Sequence, residues 1–287
     1  MELAVISGKG GTGKSSISAA LATLDHSVVL ADCDVDAANL YILFKPVHET
    51  EEVYVSGETA VIDETICTQC GLCIDYCRFD AISETNHKVS ITETSCDGCQ
   101  LCSRICPTNA IHMVKNDKSR MYSGNFRNGK MVYGRLAPGE ENSGKLVNLV
   151  REKARQLAKK EAIETIIIDG PPGIGCPVIS TITGVDHVLI STEPTLSGLM
   201  DLKRTLEVTA QFSLKTWVLI NKYDLNLEMT RQIEAYCDEL HVPVVGKLPF
   251  NPQVVQAMVN CQSVTEYDAG SDFAKGVRLA YNKIIHE

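Results

Sequence analysis

Two groups of residues in this chain have types and spacings suited to chemistry. The first is Gly8-Lys9-Gly10-Gly11-Thr12-Gly13-Lys14-Ser15, with Ser16 next. Glycines let consecutive backbone N–H groups turn inward around one anion. A lysine directly after the last glycine reaches the β- and γ-phosphates of a nucleotide, and the hydroxyl beside it can ligate Mg²⁺. Lys14 and Ser15 hold those places. The second group is a set of eight cysteines. Cys67, Cys70, Cys73 and Cys77 recur as Cys96, Cys99, Cys102 and Cys106, each 29 positions on. Ile62, Ala81 and Ile82 recur at the same shift as Ile91, Ala110 and Ile111. Thiolates so closely spaced point to a soft metal centre.

The flanking elements suit the first group. Leu3-Ala4-Val5-Ile6 reads as a buried strand and residues 16–22 as a helix. Strand, glycine loop and helix form the context of a Walker A loop, and the helix adds its free N–H groups and positive dipole end. Ser27-Val28-Val29-Leu30-Ala31 is a second buried strand, running into Asp32-Cys33-Asp34; Thr165-Ile166-Ile167-Ile168 is a third, ending at Asp169 as in Walker B. Carboxylates at the carboxyl ends of such strands fall where α/β sheets bind ligands. Cys33, between two aspartates, is expected to face inward as a small buried side chain. His187–Ser191 and Thr216–Ile220 read as further strands, with a helix from Ser197 to Thr209 between them. Leu146, Leu149, Val150, Ala154 and Leu157 give another helix its buried stripe, and Ser271 starts a last one, Asp272 to Ile285. The alternation argues a doubly wound, mostly parallel sheet. Asn128-Gly129 signals a hairpin, with strand character from Met131 to Leu136. The tract 116–130 carries Lys118, Arg120, Arg127 and Lys130 and reads as a solvated loop, or as a dock for an acidic partner.

Composition sets bounds. The chain has 287 residues, room for one large α/β domain and a small insert. Its 44% apolar and 6% aromatic content implies an aliphatic core. A net charge of −9 argues against general nucleic-acid binding. No apolar run approaches the roughly 20 residues of a membrane span. The first strand begins at once, so no signal peptide is expected, and twelve cysteines then point to metal or redox chemistry in a reducing, cytoplasmic setting. The expected domains are 1–58 with 116–287, and an insert at 59–115.

Lys9 lies inside the loop, and Lys-Gly-Gly-x-Gly-Lys-Ser resembles the deviant Walker A of the MinD/ParA/nitrogenase-iron-protein ATPases. That resemblance implies that Lys9 reaches across a dimer to the partner's nucleotide. It implies that Asp32 and Asp169 hold Mg²⁺ through water, that Asp34 orients the attacking water, and that the Gly173 N–H senses the γ-phosphate in Gly170-Pro171-Pro172-Gly173. Asn221, in Asn221-Lys222-Tyr223-Asp224, matches an adenine-contacting Asn. Asn-Lys-x-Asp also reads guanine in GTPases, so GTP stays open behind ATP. Pro249-Phe250-Asn251-Pro252 would complete the base pocket. Cys176 matches the place of a dimer-bridging cluster ligand, but without a second cysteine nearby it is expected to be a packed, reduced thiol.

Each cysteine run, Cys-x-x-Cys-x-x-Cys-x-x-x-Cys, resembles that of bacterial two-cluster ferredoxins, in which the fourth cysteine ligates the other cluster. Three tightly spaced cysteines wrap one face of a cubane, and the fourth corner comes from a distant segment. The resemblance assigns Cys67, Cys70, Cys73 and Cys106 to one 4Fe–4S cluster, and Cys96, Cys99, Cys102 and Cys77 to the other. Zinc, which favours two Cys-x-x-Cys pairs, is the lesser alternative. Pro107 follows Cys106 as in that family, whereas Arg78 follows Cys77. The whole chain thus resembles a MinD-superfamily ATPase carrying an inserted ferredoxin domain. The function this implies is an ATP-gated redox protein, working as a homodimer or as a heterodimer with a related ATPase. A cluster- or metallocofactor-assembly ATPase is the alternative, and a positioning ATPase with structural clusters the third. The expected partner is a redox or metallocofactor client, with neither nucleic acid nor membrane involved.

Overall fold

The computed structural model describes residues 1–24, 27–140, 142–212 and 214–286. Its first elements are β1 (Glu2–Ser7), α1 (Lys14–Ala22), β2 (Val28–Asp32), α2 (Leu40–Phe44) and β3 (Val47–Tyr54). Then come β4 (Glu58–Ile62), α3 (Leu72–Asp75), β5 (Ile82–Thr85), β6 (Lys88–Ile91), α4 (Leu101–Ile105) and β7 (Ile111–Lys115). They are followed by β8 (Ser119–Phe126), β9 (Gly129–Arg135), α5 (Ser143–Glu161), β10 (Thr165–Pro172), α6 (Cys176–Ile182) and β11 (His187–Thr192). The last are α7 (Leu196–Thr209), β12 (Lys215–Asn221), α8 (Leu227–Glu239), β13 (Val244–Leu248), α9 (Gln253–Val259), α10 (Val264–Tyr267) and α11 (Asp272–His286).

The chain forms two compact units: Met1–Glu51, Met121–Gly134 and Ser143–Glu287 make the larger, Glu52–Arg120 and Arg135–Asn142 the smaller. In the larger, a nine-stranded sheet runs β13-β12-β11-β1-β10-β2-β9-β8-β3. All pairs from β13 to β9 are parallel. Their Val, Ile and Leu runs are buried on both faces, as a helix-covered parallel sheet requires. Leu3, Val5, Ile17, Leu30, Ile167, Leu189 and Leu219 form the centre of the core. Ser271 accepts the Ala274 N–H at 3.2 Å and starts α11 as expected. No described helix is long and apolar enough to cross a membrane.

The strand β8 corrects the sequence reading, and β3 is a strand for which the sequence offered no signal. The tract read as a loop contains β8, whose buried positions include Ser119, Ser123 and Gly124 as well as Met121 and Phe126. Small polar residues on a buried face hide the apolar alternation that marks a strand. β3, Val-His-Glu-Thr-Glu-Glu-Val-Tyr, is exposed except at Tyr54, and its acids suit the outer edge it occupies. The basic residues of the tract have acidic neighbours. Lys118 pairs with Glu93 at 2.5 Å, Lys130 with Glu49 at 3.0 Å, and Arg127 with Glu266.

The smaller unit holds two antiparallel ribbons, β4–β7 and β5–β6. Ile62 lies opposite Ile111, and Ile82 opposite Ile91. The 29-residue shift carries one pair onto the other, so the first strand of each repeat pairs with the last strand of its twin. The positive-φ backbone repeats as well, at Gln69 and Gly98, Gly71 and Gln100, Asp80 and Asn109. The stretch 135–142 folds onto this unit through Glu140. Its carboxylate accepts the N–H groups of Lys118 (2.9 Å) and Ser119 (3.1 Å) and the hydroxyls of Ser56 (3.0 Å) and Ser119.

Candidate functional site

The loop after β1 needs its glycines for space. A Cβ on Gly8 would lie 2.7 Å from the Asp201 carbonyl oxygen, and one on Gly13 would lie 2.3 Å from Asn221 Nδ2, where φ is also +85°. Lys14 opens α1 and is buried. Its Nζ lies 3.0 Å from Asp169 Oδ1, 3.8 Å from Asp34 Oδ2 and 3.4 Å from Ser15 Oγ. Asp32 and Asp169 are register partners on β2 and β10, which brings the carboxylates together. Ser18, absent from the sequence reading, donates to Asp169 Oδ1 at 2.7 Å.

Electrostatics here follow burial and crowding. Burial pushes the Asp32 carboxyl up to about 7, and Asp169 beside it adds to the shift against the pull of Lys14. Burial also raises Asp34. Burial works to lower the Lys14 ammonium, but Asp169 and Asp34 outweigh it and hold that pKa above the ordinary value. Asp32 accepts N–H groups from Asp34 (3.2 Å), Asn39 (3.2 Å) and Leu40 (3.1 Å), and so shapes the turn into α2. Asp169 Oδ2 and Thr12 Oγ1 are buried without a hydrogen-bond partner. Orphaned buried polar atoms are rare, and here they suit a hydrated cation and a phosphate as their missing partners.

Other expected residues stand differently. Lys9 Nζ lies 2.6 Å from Glu193 Oε1 and donates to Ser197 Oγ (2.9 Å) and Thr195 Oγ1 (3.3 Å), all in its own chain. Lys222 Nζ shares Glu193 at 3.2 Å and donates to the Gly11 carbonyl at 3.1 Å. Burial would raise the Glu193 carboxyl, but hydrogen bonds from these two lysines hold it below its ordinary range. Glu193 follows β11 directly, the kind of strand end that singled out the aspartates, yet it went unread for want of a motif around it. The Gly173 N–H donates to the Ser7 carbonyl at 2.8 Å. Asn221 is buried beneath the loop, its Nδ2 donating to the Thr12 carbonyl (2.8 Å) and its Oδ1 accepting the Lys222 N–H (3.0 Å). In these contacts it braces the loop, and a side chain on Gly13 would collide with it. Ser16 Oγ contacts Met258 Sδ at 3.6 Å. Cys33 is fully buried, as expected. Cys176 is exposed, correcting the packed thiol: α6 buries Val178, Thr181 and Ile182, and Cys176 falls on the opposite face.

In the smaller unit the cysteines line two cavities. One is lined by Cys67, Cys70, Cys73 and Cys106 with Ile62, Val89 and Ile111. The other is lined by Cys96, Cys99, Cys102 and Cys77 with Ala60, Ile82 and Ile91. Each takes three cysteines from one run and the fourth from the other. Among the described residues, no three His, Cys, Asp or Glu side chains gather closely enough for a single ion. A set of four cysteines is the donor set that a 4Fe–4S cluster takes. Arg78 is exposed and lines neither cavity.

Comparison with known proteins bears on the larger architecture. The chain is 35% identical over 289 residues to the uncharacterized protein MJ0578 of Methanocaldococcus jannaschii, covering 99% of this chain and 96% of that one. It is 27% identical to MJ0579 of the same organism, covering 93% of each. Its fold is similar to the septum site-determining protein MinD of Pyrococcus horikoshii complexed with Mg-ADP, with a TM-score of 0.56 at 20% identity, over 98% of this chain and 95% of that one. Residues 3–264 match the family described as the CobQ/CobB/MinD/ParA nucleotide binding domain. With its glycine loop, buried lysine and converging strand-end aspartates, the chain belongs to that nucleotide-binding family.

Proposed function

We propose that this protein is a dimerising ATPase that couples ATP binding and hydrolysis to electron transfer through two 4Fe–4S clusters. The observation that carries the reading is one chain holding both the lysine–carboxylate site and two cysteine-lined cavities with crossed quartets. Gly8 to Ser16 would cradle the phosphates, with Lys14 at the β- and γ-phosphates. Ser15 would ligate Mg²⁺ directly, and Asp32 and Asp169 through water. Asp34, 3.8 Å from Lys14, would orient the attacking water. Lys9 would leave Glu193 to reach the nucleotide of a second copy or of a related ATPase. Gly173 and Asn221 would act behind the loop, through Ser7 and Thr12. Asp224, which would have to read guanine, has Oδ1 committed to the Phe250 N–H at 2.7 Å, favouring ATP over GTP. Cys67, Cys70, Cys73 and Cys106 would hold one cluster, and Cys96, Cys99, Cys102 and Cys77 the other. When bound, such clusters supply one-electron chemistry. The proposed partner is a cytoplasmic redox or metallocofactor client protein, not nucleic acid or membrane.

The test is a pair of nucleotide dissociation constants, for oxidised and dithionite-reduced protein under anaerobic conditions. Coupling is reciprocal, so a shift in cluster potential on ATP binding demands an equal free-energy change in nucleotide affinity on reduction, with about 1.4 kcal/mol for each tenfold. Equal constants, with potentials unchanged between ATP and ADP, sink the coupling. A second reading, cluster delivery, is favoured by the exposure of Cys70 and Cys99, one in each quartet. Transfer of labelled iron and sulfide to an apo-ferredoxin, accelerated by ATP, would put delivery first.

A further inference from the structure

The repeat gives most residues lining one cavity a counterpart in the other. Ile62 matches Ile91, Leu72 matches Leu101, Ala110 matches Ala81 and Ile111 matches Ile82. Two departures from this matching bear directly on charge. In the first cavity, Thr108 places Oγ1 3.7 Å from Cys106 Sγ, and the Ala110 N–H donates to the same sulfur at 3.2 Å. The counterpart of Thr108 is Phe79, which lines the second cavity and has no hydroxyl to offer Cys77. Thr68, neutral, lines the first cavity; its counterpart Asp97, an exposed carboxylate residue directly after Cys96, lines the second.

Both differences act in one direction. Reduction adds negative charge to a cluster and its thiolates. A hydrogen bond donated to a ligating sulfur stabilises that charge, and a nearby carboxylate opposes it. Asp97 and Arg78 are both exposed, but Asp97 lines the second cavity and Arg78 lines neither, which leaves the carboxylate the nearer charge to that cavity. Resting on the cluster reading above, we propose that the two cavities are unequal electron sites. The site of Cys67, Cys70, Cys73 and Cys106 accepts the first electron from a one-electron reductant. The site of Cys77, Cys96, Cys99 and Cys102 accepts one only at lower potential. Thr108 and Asp97 set this order without ligating metal.

The experiment is an anaerobic redox titration of the full-length holoprotein with dithionite, followed by electron paramagnetic resonance. Iron and sulfide are assayed on the same sample. Two midpoints are expected. Asp97→Asn should raise the lower midpoint and leave the upper one in place; Thr108→Val should lower the upper one and leave the lower. Phe79→Thr provides a gain-of-donor variant, expected to raise the lower midpoint. Mutual repulsion between two equal sites would also split the titration, but it cannot make each variant act on a different midpoint. A single midpoint, or Asp97→Asn moving the upper one, overturns the assignment while leaving the clusters intact. Zinc in place of iron and sulfide overturns the cluster reading itself, and this inference with it.

Discussion

The two units hold their sites by opposite means. In the larger, Asp32 and Asp169 stand on strands and Lys14 opens α1, around a core in which Leu3, Val5, Ile167 and Leu189 are completely buried. That core is complete without any ligand. In the smaller, α3 and α4 bury none of their residues. Its buried apolar residues among those described are Tyr54, Ala60, Ala81, Ile82, Val89, Ala110 and Ile111, three of them alanines. So small a core rarely sustains a domain without disulfides, metals or another partner. One unit builds a site out of a fold; on the proposed cluster reading, the other needs what fills its site in order to have a fold.

The largest expected effect follows from that contrast. Stripping the metal from anaerobically purified protein with chelator and oxidant should expose residues 52–120 to rapid proteolysis, because binding free energy there is folding free energy. ATP binding by the larger unit should persist. Equal protease resistance before and after stripping would break the comparison. Within the larger unit, Lys14 and Lys9 should separate. Lys14→Ala should weaken nucleotide binding about 10- to 100-fold, the scale of lost charge-assisted hydrogen bonds. Lys9→Ala should leave binding nearly intact but slow hydrolysis on the order of a thousandfold, as when a cation supplied to the γ-phosphate is removed. Normal hydrolysis by Lys9→Ala, measured as phosphate release, would leave Lys9 as a partner of Glu193 alone.

Much of this was legible beforehand. The glycine loop, the strand-end aspartates and the cysteine runs are dense local patterns whose spacing carries their chemistry. What stayed hidden depended on tertiary neighbours. Glu193 gains meaning only because α1's loop and β12 bring Lys9 and Lys222 to it. Asn221 has a motif of its own, but its bond to the Thr12 carbonyl depends on a loop 209 positions away. β8 was missed because its buried face holds serines, one of which is satisfied by Glu140, a residue 21 positions away.

Smaller effects sharpen the comparison. Gly8→Ala should cost about 3 kcal/mol in urea unfolding, because its Cβ would meet the Asp201 backbone. Gly71→Ala, at φ +78° with nothing within 4 Å, should cost only the left-handed strain of about 1 kcal/mol. Similar costs would mean that the loop around Asp201 yields. The smallest concerns Glu140. Burial would raise its carboxyl, but donors from Ser119, Lys118 and Ser56 outweigh it and hold the pKa below the ordinary value. A depressed folded pKa stabilises above the unfolded value of about 4.3 and loses that contribution as pH falls through the folded pKa. Glu140→Gln should therefore cost about 1–2 kcal/mol near neutrality and flatten the acid side of the stability curve, read by thermal melts from neutral to acidic pH. An unchanged acid limb would assign it to other carboxylates.

The pairing of Ile62 with Ile111 and of Ile82 with Ile91 has one more consequence. Neither copy of the repeat closes a ribbon on its own; each lends its first strand to its twin's last. The smaller unit is therefore a two-fold dimer whose halves have been written into one chain. The seam is the two-residue turn Asn86-His87, with φ of 53° and 58°, as a tight primed hairpin between β5 and β6 demands. That turn keeps the exchange of strands within one molecule. Were it longer, the same complementary edges would serve equally well between molecules, and the chain would trade halves with its neighbours.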